Sequence, residues 1–138
     1  MNYLLDTNVI SELVKPYPQS TVVAWLADVD EDRVFISVVT LAELRHGVEL
    51  LPVSKRQDRL NAWLGHELPA RFEKRILNVD AAIADAWGVL TARRQTGGKP
   101  ASAMDMLIAA TAQVHQLTLV TRNTSDFKGV VERILNPY

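Results

Sequence analysis

The 138-residue sequence predicts an α/β fold: a parallel sheet of four to five strands sandwiched by helices, in a single domain. Three observations predict it. Short apolar runs with the composition of buried strands alternate with longer segments of helical period along the whole chain. Hydrophobic residues make up 48%, enough for a core on both faces of such a sheet. Three isolated acids also stand where a strand ends or a helix begins, the edge at which sheets of this kind carry their sites.

The first strand is expected at residues 2–5, where a short apolar run ends on Asp6. Asn8 suits an N-cap for a short helix through Val14, which Lys15-Pro16-Tyr17-Pro18 stops. Ser20 opens a second helix with Val22, Val23, Trp25, Leu26 and Val29 on one face. The acidic turn at residues 30–32 ends it. Residues 34–38 read as a buried strand, followed by a helix at 40–51 with Leu41, Leu44, Val48 and Leu51 spaced for packing. Ser54 starts a helix running to about Pro69. Residues 76–79 form the third strand, and Asp80 caps a helix at 81–95. The run Gly97-Gly98-Lys99-Pro100 closes that helix; with no strand before it and no Ser or Thr after the lysine, it is not a phosphate loop. Ser102 caps an alanine-rich helix to His115. The fourth strand is expected at 117–121, a loop at 122–127 and a short last strand at 131–135.

Composition narrows the function. The net charge of −1 gives no general attraction to nucleic acid or anionic membrane, although an acidic pocket with a basic rim remains compatible with it. There is no cysteine, hence no disulfide and no thiolate metal site. No signal peptide and no membrane span are expected, and the chain reads as cytoplasmic.

The informative feature is the solitude of three acids. Asp6 is the only charge in residues 1–11, Glu43 the only one in 34–44 and Asp105 the only one in 101–114. Each has a purely structural explanation. Thr40 to Glu43 spells a capping box, Ser102 to Asp105 a near one, and Asp6 can cap the next turn. Together they point elsewhere. The helix holding Asp105 leads directly into the fourth strand and must start at the upper sheet edge. Asp6 and Glu43 reach the same edge. Three carboxylates meeting there repel one another unless a cation is present. Oxygen ligands alone favour Mg²⁺ or Mn²⁺ over zinc, and His46, His66 and His115 read as solvent-facing or structural.

The strings LLDTN at 4–8, SVVTLAELRHG at 37–47, AMDMLIAATA at 103–112 and LVTRNTSDF at 119–127 resemble, in this order, the four signatures of the PIN-domain family. In detail they are similar to the VapC toxins of type II toxin–antitoxin pairs, and to the FitB-like subgroup. The resemblance implies an Mg²⁺- or Mn²⁺-dependent endoribonuclease, with Asp6, Glu43 and Asp105 matching the acidic triad. Many relatives carry a fourth acid just after a Thr-Arg pair or nearby. Here Asn123 fills the first such slot and Asp126 follows three residues later, so either is a candidate; Asp126 also suits an Asx-type turn. Thr7 and Thr121 fit a hydroxyl near the metal, and Asn8 either orients Asp6 or caps its helix. Candidates for contacting the RNA backbone are Arg45, Arg93, Arg94, Lys99 and Arg122. The resemblance further implies a homodimer and a small VapB-type antitoxin that blocks the site, with DNA contacted only through that antitoxin. The helices around Trp25 and Trp63 offer apolar surface for either contact.

Three rivals have distinct signatures. An aspartyl-nucleophile phosphatase wants a second acid two residues after Asp6, where Asn8 stands. A non-catalytic metal- or RNA-binding scaffold predicts binding without cleavage. A DNA-acting nuclease of the same fold usually carries extra helical segments, for which this chain has little room.

Overall fold

The computed structural model describes residues 1–138. Its elements run β1 (Tyr3–Leu5), α1 (Thr7–Glu12), α2 (Ser20–Asp28), β2 (Val34–Ser37), α3 (Val38–Glu49), α4 (Lys55–Ala62), α5 (Leu68–Arg71), β3 (Ile76–Leu77), α6 (Ala81–Thr96), α7 (Ala103–Val114), β4 (Thr118–Val120), α8 (Thr124–Phe127) and β5 (Ile134–Leu135). The five strands form one parallel sheet in the order β3-β2-β1-β4-β5.

That order places the site. The chain steps outward from β1 to β2 and β3, then α6 and α7 return it to β4 on the other side of β1. The strand order therefore reverses between β1 and β4, and a crevice opens beyond their carboxyl ends. Leu5 pairs with Val120, so Asp6 and Thr121 leave the sheet side by side. The Asp6 amide still donates to the Val120 carbonyl at 2.9 Å.

Side-chain alternation splits the core into two layers. Leu4 and Leu119 pack with Ile83 and Leu90 of α6 and with Met106, Ile108 and Ala109 of α7. Leu5 and Val120 face the other way, onto Val9 and Ile10 of α1, Val22 of α2, and Leu44 and Val48 of α3. Leu119 is fully buried on the central strand pair. Leu119→Ala is expected to cost about 3 kcal/mol in urea unfolding, from lost burial plus the cavity left behind.

Several boundaries differ from expectation for identifiable reasons. Asp6, not Asn8, caps α1: its carboxylate accepts from the Thr7 amide. Ser37 caps α3 three residues before Thr40, because its hydroxyl reaches the Val39 amide at 3.0 Å. The capping box expected at Thr40–Glu43 is therefore not formed, and Glu43 lies beyond the first turn. Ser20 opens α2 as expected; the cap position is Gln19, whose amide donates to Glu12. The helix after Ser54 ends near Pro69 as expected, at Arg71, but it is not regular throughout. A π-helical stretch over Trp63–Glu67 widens it, the Leu68 amide bonds the Trp63 carbonyl, and α5 continues with proline in its first turn. The loop expected after β4 contains the short helix α8, with Phe127 fully buried beneath it.

Candidate functional site

Asp6 is 4% exposed, yet every hydrogen bond to it comes from an uncharged donor. One carboxylate oxygen accepts from the Thr7 amide at 2.8 Å. The other accepts from the Thr121 hydroxyl at 2.8 Å and the Asn8 side-chain amide at 3.2 Å. Asn8 thus orients Asp6 instead of capping a helix. Its own carbonyl oxygen accepts from the Arg122 amide at 3.3 Å. Thr121, fully buried, also accepts from the Asn123 amide at 3.0 Å. One hydroxyl therefore joins the end of β1 to the loop that follows β4.

Thr7 connects the next acid. Its hydroxyl donates to Glu43 Oε1 at 2.7 Å and lies 3.4 Å from the Thr40 hydroxyl. Glu43 is thereby drawn from α3 toward the start of α1, and its other oxygen is left free. Asp105 enters from α7, whose first turn is fixed by Ser102 accepting from the Asp105 amide at 3.0 Å. No side chain or amide bonds the Asp105 carboxylate. The same holds for Asp126 in α8; it forms no Asx turn, and its backbone carbonyl accepts from Arg94 at 3.2 Å.

Electrostatics ties the four acids together. Burial pushes the Asp105 carboxyl up to about 6, with further upward pressure from the charges of Asp6, Glu43 and Asp126. Burial also raises Asp6; its hydrogen bonds to Thr121, Thr7 and Asn8 resist this, while the Asp126 charge adds to the rise. None of the four acids takes part in any of the ion pairs of the molecule. No basic side chain neutralises the group, and its donors are oxygens only, which suits a hard divalent ion. The side chains are not closed around one point: no three His, Cys, Asp or Glu form a finished metal cage. Free carboxylate oxygens on Glu43, Asp105 and Asp126, with the pKa values of Asp6 and Asp105 raised, fit a cation that draws its ligands in on binding.

The basic candidates divide. Arg45 is tied to Glu49 at 3.1 Å and to Asn61, so it is occupied along α3 and α4. Arg94 anchors α8. Arg93, Lys99 and Arg122 are exposed. All three histidines are exposed as well. Two residues that sequence patterning passed over lie behind the site. Glu12 is 1% exposed and accepts from Lys15, the Gln19 amide and the Tyr138 hydroxyl. Burial alone would raise its pKa, but the Lys15 ammonium leads the contacts that hold it below the ordinary value. An acid with a lysine three residues on was the available signal for Glu12; nothing marked Tyr138.

Thr121→Val is expected to destabilise the chain by about 2 kcal/mol, because it removes a bond to a buried carboxylate and strands an amide. Thr121→Ser should restore most of the loss in the same denaturant titration.

Fold and site together define a parallel α/β protein with an acidic, oxygen-only centre at the strand-order reversal. The chain belongs to the PIN-domain family, whose model matches residues 3–132. It is 41% identical to toxin FitB of Neisseria gonorrhoeae over 98% of this chain and 97% of that one. It is 39% identical to VapC ribonuclease Y4jK of Sinorhizobium fredii, over 98% and 96%. The crystal structure of FitAcB from Neisseria gonorrhoeae superposes with a TM-score of 0.91 at 41% identity, covering 98% of this chain and 97% of that one.

Proposed function

We propose that this chain is an Mg²⁺- or Mn²⁺-dependent endoribonuclease, the toxin of a VapBC-type toxin–antitoxin pair acting in the cytoplasm. The observation that carries the reading is the group of four acids without a basic partner beyond β1 and β4. Asp6, Glu43 and Asp105 would hold the cation, with Asp126 completing the set in preference to Asn123, whose contribution is its backbone amide. A bound divalent ion supplies an activated water and offsets charge developing on the leaving oxygen.

The rest is the work of the chain. Thr7, Asn8 and Thr121 hold Asp6 in one orientation, so its oxygens need no rearrangement when the site fills. Thr7 also aims Glu43. Arg122, exposed at the rim, is available to a phosphate of the RNA strand.

Partners follow the same reading. A groove of about 520 Å³ lined by Val14, Leu60, Trp63 and Arg56 adjoins a second hollow of about 270 Å³ that reaches Thr7 and Glu43. An apolar antitoxin segment laid there would end against the acids, which supports a VapB-type inhibitor. A homodimer is part of the same proposal. No helix is long and apolar enough to cross a membrane.

The test is to incubate the purified protein with total RNA, with and without Mg²⁺, and map the cut ends. Cleavage at a restricted set of sites only with Mg²⁺ or Mn²⁺ is expected. Intact RNA under all conditions, or cleavage that persists in chelator, would contradict the reading.

A further inference from the structure

Arg122 poses a physical problem. It directly follows Thr121, whose hydroxyl bonds Asp6, and its own amide bonds the Asn8 side chain, so its backbone leaves the sheet beside the uncompensated carboxylates. A free guanidinium beside such a group is drawn into it, where it would occupy the position a cation needs. Yet Arg122 joins none of the ion pairs of the molecule. Its guanidinium carbon lies over the ring of Tyr138, 5.2 Å from the centroid.

That ring is held from several directions. The Tyr138 hydroxyl is shared between the Asn8 carbonyl at 3.0 Å and Glu12 Oε2 at 3.2 Å. The Tyr138 amide donates to the Asn136 side chain at 3.0 Å. Glu12 is itself buried and held by Lys15 and the Gln19 amide, so the ring rests on a fixed part of α1. The Arg122 amide, bonded to the Asn8 side chain, fixes the other end of the arginine.

We infer that Tyr138 is a positioning residue that stations the Arg122 guanidinium off the carboxylates of Asp6, Glu43, Asp105 and Asp126. The acids then stay open to a divalent cation, and the guanidinium stays turned outward for a substrate phosphate. The inference rests on the cation centre proposed above.

Calorimetric titration with Mn²⁺ tests it without reference to cleavage. Five proteins are compared: the wild type, Tyr138→Leu, Tyr138→Phe, Arg122→Gln and the Tyr138→Leu/Arg122→Gln double variant. Tyr138→Leu is expected to bind Mn²⁺ roughly five- to tenfold more weakly, since a released arginine competes for the acids. Tyr138→Phe keeps the ring but loses the hydroxyl bonds to Asn8 and Glu12, so it should weaken Mn²⁺ binding less than Tyr138→Leu does, while Arg122→Gln should stay within about twofold of wild type. Removing the competitor should rescue the affinity, so the double variant should return to within about twofold. Wild-type affinity in Tyr138→Leu overturns the inference. So does a double variant as weak as Tyr138→Leu, because the loss would then be structural, and so does a Tyr138→Phe as weak as Tyr138→Leu. A wild type that binds no Mn²⁺ overturns the cation centre itself, which separates the two failures.

Discussion

Asp6→Asn is expected to lower RNA cleavage at saturating Mg²⁺ by at least about 10³-fold, some 4 kcal/mol of lost transition-state stabilisation, while the chain stays folded. The two halves of this expectation have different causes. Asparagine is as good an N-cap as aspartate, so the Thr7 amide keeps its acceptor and α1 keeps its start. The Thr121 hydroxyl can turn to accept from the new amide group, whereas the Asn8 side-chain amide at 3.2 Å loses its acceptor. A carboxylate that burial disfavours is replaced by a neutral isostere, which offsets the lost Asn8 bond, so thermal stability should stay close to that of wild type. The function falls because the central anionic ligand is gone. A variant that melts like wild type yet fails to cut separates site from scaffold. Full activity at saturating Mg²⁺ would end the nuclease reading.

The second large effect concerns Asp105 and pH. Its folded-state carboxyl is pushed up to about 6 from an ordinary 3.8. The folded chain therefore holds that proton more tightly than the unfolded chain. The stability this contributes is fully present below pH 3.8 and is lost as pH rises through about 6. Above that the ionised group is a constant burden on the metal-free protein. Asp105→Asn removes the burden. After allowing for the partial exposure of the group, the gain is about 1 kcal/mol, or roughly 4 °C in the melting temperature at pH 7.5. The gain should vanish below about pH 4. A divalent ion competes with the same proton, so wild-type Mg²⁺ affinity should weaken about tenfold per pH unit below about 6. Melting curves of both proteins from pH 4 to 8, with and without Mg²⁺, check all of this. Equal melting temperatures of the metal-free proteins at pH 7.5 would show that Asp105 bears no such strain.

Much of this arrangement is legible in the sequence because the decisive signals are local. Strand and helix alternation implies the parallel sheet, and a helix that feeds directly into a strand must begin at the opposite sheet edge. That single rule brings Asp105 to the edge where Asp6 stands. The solitude of Asp6, Glu43 and Asp105 marks them as unusual before any contact is known. What local signals miss is competition between neighbours for the same hydrogen bonds. Ser37 and Thr40 are both sound caps for α3, and only the packed structure shows that Ser37 prevails. With Thr40 displaced into the helix, Glu43 turns to Thr7, a partner 36 residues away. Asn8 and Asp6 compete in the same way at α1. The strand order depends on how α6 and α7 pack across the sheet, which no window of sequence contains. The Tyr138–Glu12 contact spans nearly the whole chain and has no periodic signature at all.

The most direct measurement is anomalous diffraction from crystals of the protein grown with Mn²⁺. The account predicts a manganese peak bound by carboxylate oxygens of Asp6 and Asp105, with Glu43 and Asp126 joined to it directly or through water, and no such peak in Asp6→Asn crystals. A peak elsewhere on the molecule, or Asp6 and Asp105 bound to no common ion, would contradict it.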